Sequence, residues 1–333
     1  MFNLYKILFF ISLMLGTLMT ISSYTWMGMW MGLEINLLSI IPLMNNIKNL
    51  SASEASLKYF ITQALASTLI LFSILLMSNY WINLNSSMIF IFNSGLLTKM
   101  GAAPFHFWFP EIMEGLSWNN CLIMMTIQKI APLILLMMNL NYPIFFFIII
   151  VISMMISGFM GINQTSLRKI LTYSSINHLA WMISSMMFFK TIWLIYMITY
   201  MITSINIILI FKKMNIFFMK QLIFLNNKNF ALKIIISLNL MSLGGLPPFI
   251  GFFPKWCTIQ NLISMNSTFL SFLMTLLTLL TLFFYIRMIY STLTISQTKI
   301  KWMMNSNSTF NWVIFNNIVT LSLLIISTMI WII

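Results

Sequence analysis

Lys99-Met100-Gly101-Ala102-Ala103-Pro104-Phe105-His106-Phe107-Trp108-Phe109-Pro110 interrupts an apolar stretch with a glycine, two prolines and two ionisable side chains. A related stretch, Gly245-Leu246-Pro247-Pro248-Phe249-Ile250-Gly251-Phe252-Phe253-Pro254-Lys255, follows 144 residues later. The shared pattern is Pro-Phe-x-x-x-Phe-Pro, with Gly101 aligned to Gly245. Proline removes a helical N–H and glycine weakens the ladder, so each copy frees backbone groups at membrane depth. The first copy falls at the end of a fourth candidate span and the second within or after a ninth. An offset of five spans is odd, so equivalent segments cross the bilayer in opposite directions. The pattern predicts inverted repeats with two discontinuous helices, the usual place for ion sites in transporters.

The rest of the chain agrees with a membrane setting. Of 333 residues, 60% are hydrophobic and only 6% charged, with a mean hydropathy of +0.97. A soluble domain carries about 25% charged residues. These values exclude a soluble enzyme, a disordered chain and a disulfide-stapled secreted domain. The apolar runs are too long for barrel strands. They read as an all-α integral membrane protein of about eleven transmembrane helices. The expected spans are roughly 4–22, 25–45, 55–78, 87–104, 119–139, 142–162, 168–188, 191–211, 233–252, 267–290 and 312–332. The chain is expected to form a single membrane domain over 1–333. Within it, 1–140 is the first five-helix repeat, 141–295 the second, and 310–333 a C-terminal helix.

Turn chemistry marks Asn45-Asn46, Asn83-Leu84-Asn85 and Asn226-Asn227-Lys228-Asn229. Ser51 and Glu54 read as a capping box at the third span. The apolar run Ile7 to Ile21 ends without a convincing cleavage site, so no cleaved signal is expected.

The balance is basic, with 17 Lys and Arg against 4 acids, all Glu. A basic chain usually suggests nucleic acid. Membrane topology explains this one better. Alternating the spans places thirteen basic residues on the side of the N-terminus and only Lys190 on the other. That asymmetry predicts an inward-facing N-terminus, with the bilayer rather than nucleic acid as partner. Lys99, Lys129 and Lys255 remain unassigned to either surface.

Two Cys and two His limit cofactor chemistry. An iron–sulfur cluster needs about four ligands, and two bis-His haems need about four His. Cys121 and Cys257 are expected to be buried, inert thiols. No dinucleotide fingerprint or phosphate-binding loop occurs. With 32 Met, 30 Phe and fifteen Lys against two Arg, residue usage points to an A+T-rich organelle genome that reads an extra codon as Met.

Ionisable side chains inside spans are costly and default to function. Glu34 lies mid-span in Trp30-Met31-Gly32-Leu33-Glu34-Ile35-Asn36, and Lys129 lies mid-span in Thr126-Ile127-Gln128-Lys129-Ile130-Ala131-Pro132. Each is on the order of 15 Å from either helix end, too deep for snorkelling. A structural ion pair is the bland alternative for these two. For Lys99 it is a helix-end lysine meeting freed carbonyls, and for Lys255 it is snorkelling. His106, between the prolines, and His178, in Tyr173-Ser174-Ser175-Ile176-Asn177-His178, are candidate proton relays. Each alternatively just satisfies a hydrogen bond. Glu111 and Glu114 read as surface loop residues. One buried acid neutralises one of three buried lysines. A lysine left over is hydrated or gives up its proton, which suits proton transfer better than metal or substrate coordination.

These motifs, with Glu54-Ala55-Ser56-Leu57-Lys58-Tyr59-Phe60, Asn163-Gln164-Thr165-Ser166-Leu167-Arg168-Lys169 and Gly244 to Trp256, resemble the subunit 2 family of mitochondrial respiratory complex I (NADH dehydrogenase). The likeness is to its animal, insect-like form and runs over about residues 24–290. The resemblance implies an antiporter-like fold of two inverted five-helix repeats. It implies that Glu34 and Lys99 form a buried ion pair, that Lys129 is the central proton carrier, and that Lys255 ends the pathway. It implies no cofactor in this chain, with NADH, FMN, iron–sulfur clusters and ubiquinone handled by other subunits. Expected neighbours are other membrane-arm subunits, including subunits 4 and 4L, in the mitochondrial inner membrane with the N-terminus in the matrix. The expected function is redox-driven proton translocation. Its rivals are a stand-alone cation/proton antiporter and a purely structural membrane subunit.

Overall fold

The computed structural model describes residues 4–45, 49–78, 85–224, 230–247 and 249–294, and every described regular element is a helix. Residues Met1–Ser153 and Met154–Ile333 form two compact units.

In the first unit, α1 (Leu4–Ser22) packs on α2 (Trp26–Met44), which also contacts α3 (Leu50–Ser78). Thr25 caps α2, its side chain accepting from the Gly28 N–H at 3.2 Å. Small residues let α1 and α2 approach closely: a Cβ on Gly32 would meet the Thr20 nitrogen at 2.8 Å. Next come α4 (Asn85–Met100), α5 (Trp108–Gly115), α6 (Trp118–Met125) and α7 (Ile127–Met138). α4 packs on α3 and α7, and α5 packs on α3.

α8 (Pro143–Ile162) spans the unit boundary. The second unit adds α9 (Leu167–Met186), α10 (Lys190–Met214), α11 (Met219–Phe224), α12 (Phe230–Gly244), α13 (Phe252–Ser264) and α14 (Thr268–Thr294). Here α9 contacts α10, α13 and α14, and eighteen of its twenty residues are buried.

Each of the ten expected spans before residue 295 overlaps a described helix. Among the described residues, seven helices are long and apolar enough to cross a membrane, counting α6 and α7 as one. α4, α12 and α13 are shortened by the breaks, and α9 is diluted by its polar residues. The eleventh span, the C-terminal helix and the turn residues Asn46, Asn83-Leu84 and Asn226 to Asn229 lie outside the described residues, as do Lys48, Lys228, Lys299 and Lys301.

Three sequence expectations change. Span 119–139 is interrupted at Thr126 (φ −111°, ψ −78°), whose hydroxyl donates to the Leu122 carbonyl at 2.7 Å. Such back-bonding competes with the helical ladder. Ser51 is not a helix cap, because α3 already begins at Leu50 and the Ala52 and Ser53 N–H groups bond the Asn49 carbonyl. Glu54 instead pairs with Lys58 at 3.1 Å. Glu111 and Glu114 are not loop residues but sit on α5, where Glu111 meets Lys58 at 3.0 Å.

Candidate functional site

The two breaks are built alike. Gly101 and Gly245 end α4 and α12 with φ of 72° and 74°, a region that L side chains resist. In the first break, Gly101 N–H bonds the Thr98 carbonyl, Ala102 bonds Leu97, Phe105 bonds Ala102, and Phe109 bonds His106. In the second, Gly245 bonds Ser242, Leu246 bonds Met241, Phe249 bonds Leu246, and Phe253 bonds Ile250. All four pairs keep the 144-residue offset seen in the sequence. Pro248 lies outside the described residues.

In the first unit, α4 carries Lys99 in its last turn and α2 carries Glu34. Lys99 Nζ stands 3.9 Å from Glu34 Oε1, with side-chain exposures of 5% and 25%. That distance is an ion pair but too long for a direct hydrogen bond. Lys99 therefore faces a carboxylate. The Thr98 carbonyl at its helix end accepts from Trp108 Nε1 at 3.0 Å as well as from the Gly101 N–H.

Lys129 is buried in the first turn of α7, immediately after the Thr126 interruption. Its Nζ lies 5.1 Å from the Phe109 ring centroid, within cation–π range. α5 thus carries Phe109 toward Lys129 and Glu111 toward the surface. His106 is buried in the break, its Nδ1 3.3 Å from the Pro104 carbonyl and its ring against Phe107.

Beside Lys99 is a narrow cavity of about 10 Å³ lined by Leu33, Asn36, Leu37, Tyr59, Gln63, Lys99, Gln128 and Pro132. Tyr59 donates to Gln128 Oε1 at 3.4 Å. Sequence reasoning missed Asn36, Tyr59, Gln63 and Gln128 as members of this site. The available signal was amide side chains inside otherwise apolar helices.

In the second unit, Lys255 is buried on α13, so it does not snorkel. Its Nζ donates to the Gly244 carbonyl at 2.7 Å and lies 5.9 Å from the Trp181 ring centroid. It is thus Lys255 whose ammonium meets a helix-end carbonyl, whereas Lys99 meets a carboxylate. His178, on α9, has Nδ1 2.9 Å from the Tyr196 hydroxyl, with its ring 5.1 Å from that of Tyr200. On the same helix, Asn177 Nδ2 donates to Thr281 at 3.1 Å.

Cys121 and Cys257 are buried thiols, and Cys121 Sγ donates to the Met113 and Leu116 carbonyls. Among the described residues, no three His, Cys, Asp or Glu side chains gather where a metal ion could be held.

Residues 23–281 match the family model described as the transmembrane part of NADH:quinone oxidoreductase and Mrp antiporters. The chain is 51% identical to NADH-ubiquinone oxidoreductase chain 2 of Aedes aegypti, over 98% of both chains. It is 51% identical to the protein of that name from Anopheles gambiae, over 90% of this chain and 89% of the relative. Its fold is similar to a chain in the structure of respiratory complex I from Thermus thermophilus with bound aureothin. The TM-score is 0.85 at 21% identity, over 97% of this chain and 78% of that one.

Proposed function

The chain belongs to the NADH-ubiquinone oxidoreductase chain 2 family, and on that premise we propose that its buried lysines and Glu34 carry protons across the membrane. It is a multi-pass, all-helical membrane subunit of that respiratory enzyme complex, with an antiporter-like fold. The finer assignments form one reading. NADH oxidation and ubiquinone reduction take place in other subunits, which hold FMN and the iron–sulfur clusters. The chain lies in the mitochondrial inner membrane with its N-terminus in the matrix, beside membrane-arm neighbours that include subunits 4 and 4L. Residues 1–140 and 141–295 act as inverted repeats, followed by a C-terminal helix at 310–333.

In this reading the Glu34–Lys99 pair opens and closes, Lys129 takes up and releases a proton, and Lys255 is the last lysine of the pathway. His106 and His178 are relays. The proton that leaves a lysine passes to water, and the lysine is neutral until it is recharged.

The observation that carries this reading is the Lys99–Glu34 pair at 3.9 Å beside a helix break, with Lys129 buried nearby. A purely structural role would favour neutralising every buried lysine. Lys255 is held instead by the Gly244 carbonyl, a dipole that leaves its charge in place. The test is Lys129→Met in the assembled complex. The expected result is normal assembly with a lowered proton-to-electron ratio. A full ratio in that variant overturns the proposal.

A further inference from the structure

By the 144-residue offset that relates the two breaks, Glu34 of α2 falls on His178 of α9. The second unit thus places an imidazole where the first places its buried carboxylate. Residues 154–333 contain no Asp or Glu. The other ionisable side chains buried on the helices packed against α9 are Tyr196 and Tyr200 on α10, Lys255 and Cys257 on α13, and Tyr285 on α14. α9 itself adds Tyr173. A charged imidazole in this setting meets dipoles rather than a carboxylate of its own unit.

The nearest such dipole is the Tyr196 hydroxyl, 2.9 Å from His178 Nδ1. Tyr196 is 1% exposed and His178 6%, so bulk water does not compete for the contact. The Tyr200 ring packs 5.1 Å from the imidazole at 44°. The neighbouring Asn177 ties α9 to α14 by donating to Thr281 at 3.1 Å. These contacts fix the imidazole's place on the helix. One turn further along α9 is Trp181, whose ring lies 5.9 Å from Lys255 Nζ.

A relay histidine needs one nitrogen that can take a proton. If the Tyr196 hydroxyl donated to Nδ1, the imidazole proton would sit on Nε2 and both nitrogens would be engaged. If the hydroxyl accepts from Nδ1–H, Nε2 is the nitrogen that gains and loses the proton. The charged ring has N–H on both nitrogens, so it keeps the same Nδ1–H bond to Tyr196 without moving. A carboxylate at that position would hold the ring as imidazolium. A phenol is a neutral acceptor, which orients the ring and lets the charge go.

We infer that Tyr196 is the positioning residue for proton exchange at His178: it accepts from Nδ1–H in both charge states and assigns the exchange to Nε2. The proton enters and leaves at Nε2, while the Nδ1 proton and the Tyr196 hydrogen stay where they are. This rests on the proton-transfer reading above, which makes His178 a relay.

The test uses the assembled complex in inverted inner-membrane vesicles. Tyr196→Phe keeps the ring and removes the acceptor. The expected result is a loss of proton-to-electron ratio at least half that of His178→Gln, with the pH profile of pumping shifted by about one unit. In the double variant the ratio should equal that of His178→Gln alone, and the shift should vanish. Losses that add in the double variant assign Tyr196 to packing and overturn the inference. A full ratio and unchanged profile in Tyr196→Phe, with His178→Gln impaired, overturns it and leaves the relay standing. A full ratio in His178→Gln removes the relay and this inference together, while Lys129→Met separately decides the broader reading. High-resolution maps of the unmodified complex at acid and alkaline pH decide independently of whether the variants assemble. Nδ1 is expected within hydrogen-bond distance of the Tyr196 oxygen in both. An imidazole parted from Tyr196 in either map overturns the inference.

Discussion

At Gly101 and at Gly245 the chain leaves a helix with nearly the same φ and then closes the same four backbone hydrogen bonds. The lysines do not follow that repetition. Lys99 lies two residues before its glycine, where the second copy has Leu243; Lys255 lies ten residues after its glycine, where the first copy has Glu111. The first lysine is held by the charge of Glu34 and the second by the Gly244 carbonyl and the Trp181 ring. Residues 154–333 contain no Asp or Glu at all. A repeated backbone has therefore been fitted with two ways of keeping an ammonium in an apolar interior: a full counter-charge in one unit, dipoles and a π-face in the other.

Removing the carboxylate should expose that difference most strongly. Glu34→Leu strands Lys99 and is expected to destabilise the first unit by about 3 kcal/mol, the low end for breaking a buried pair, because Glu34 is partly exposed. The double variant Glu34→Leu/Lys99→Met should recover most of the loss in thermal unfolding of the assembled complex. A double variant as unstable as the single would break the comparison.

Alanine at the two turn glycines gives a smaller contrast. Each substitution forces a Cβ into left-handed backbone, at about 1–2 kcal/mol. At Gly101 the nearest atom is the Phe109 Cβ at 3.2 Å, whereas at Gly245 a Cβ meets Lys255 Cδ, Cε and Nζ at 2.8 Å. Gly245→Ala should therefore lower the proton-to-electron ratio by pushing Lys255 off the Gly244 carbonyl. Gly101→Ala should register mainly as lost thermal stability. Equal effects on pumping would remove the distinction.

The smallest effect belongs to Lys58, exposed between Glu54 and Glu111. Exposed ion pairs contribute little. Lys58→Ala should leave the thermal midpoint and the pumping ratio unchanged, and a clear drop in the ratio would assign that cluster a role outside the comparison.

Both breaks were legible in the sequence because glycine and proline act through local backbone geometry, which needs no knowledge of partners. Glu34, Lys99, Lys129 and Lys255 were legible because a charge in an apolar run is conspicuous. Thr126 was not: threonine is common in membrane helices, and nothing local says that its hydroxyl will bond Leu122 at the point where α6 gives way to α7. The polar lining of the cavity beside Lys99 was not legible either. Asn36, Gln63 and Gln128 lie on three helices, and only tertiary packing brings them to one cavity. The Ser51–Glu54 pattern misled because the helix already begins at Leu50, with the Asn49 carbonyl taking the Ala52 and Ser53 N–H groups.

α9 is enclosed by protein along nearly its whole length and carries Thr172, Ser174, Ser175, Asn177, His178, Ser184 and Ser185 among its buried residues. A segment of that composition partitions poorly into lipid when it leaves the ribosome. Its entry into the bilayer then depends on the strongly apolar α8 before it and α10 after it, which makes the biogenesis of this chain a cooperative event. The same polar side chains that furnish the interior of the second unit make α9 the step at which membrane insertion is most easily derailed.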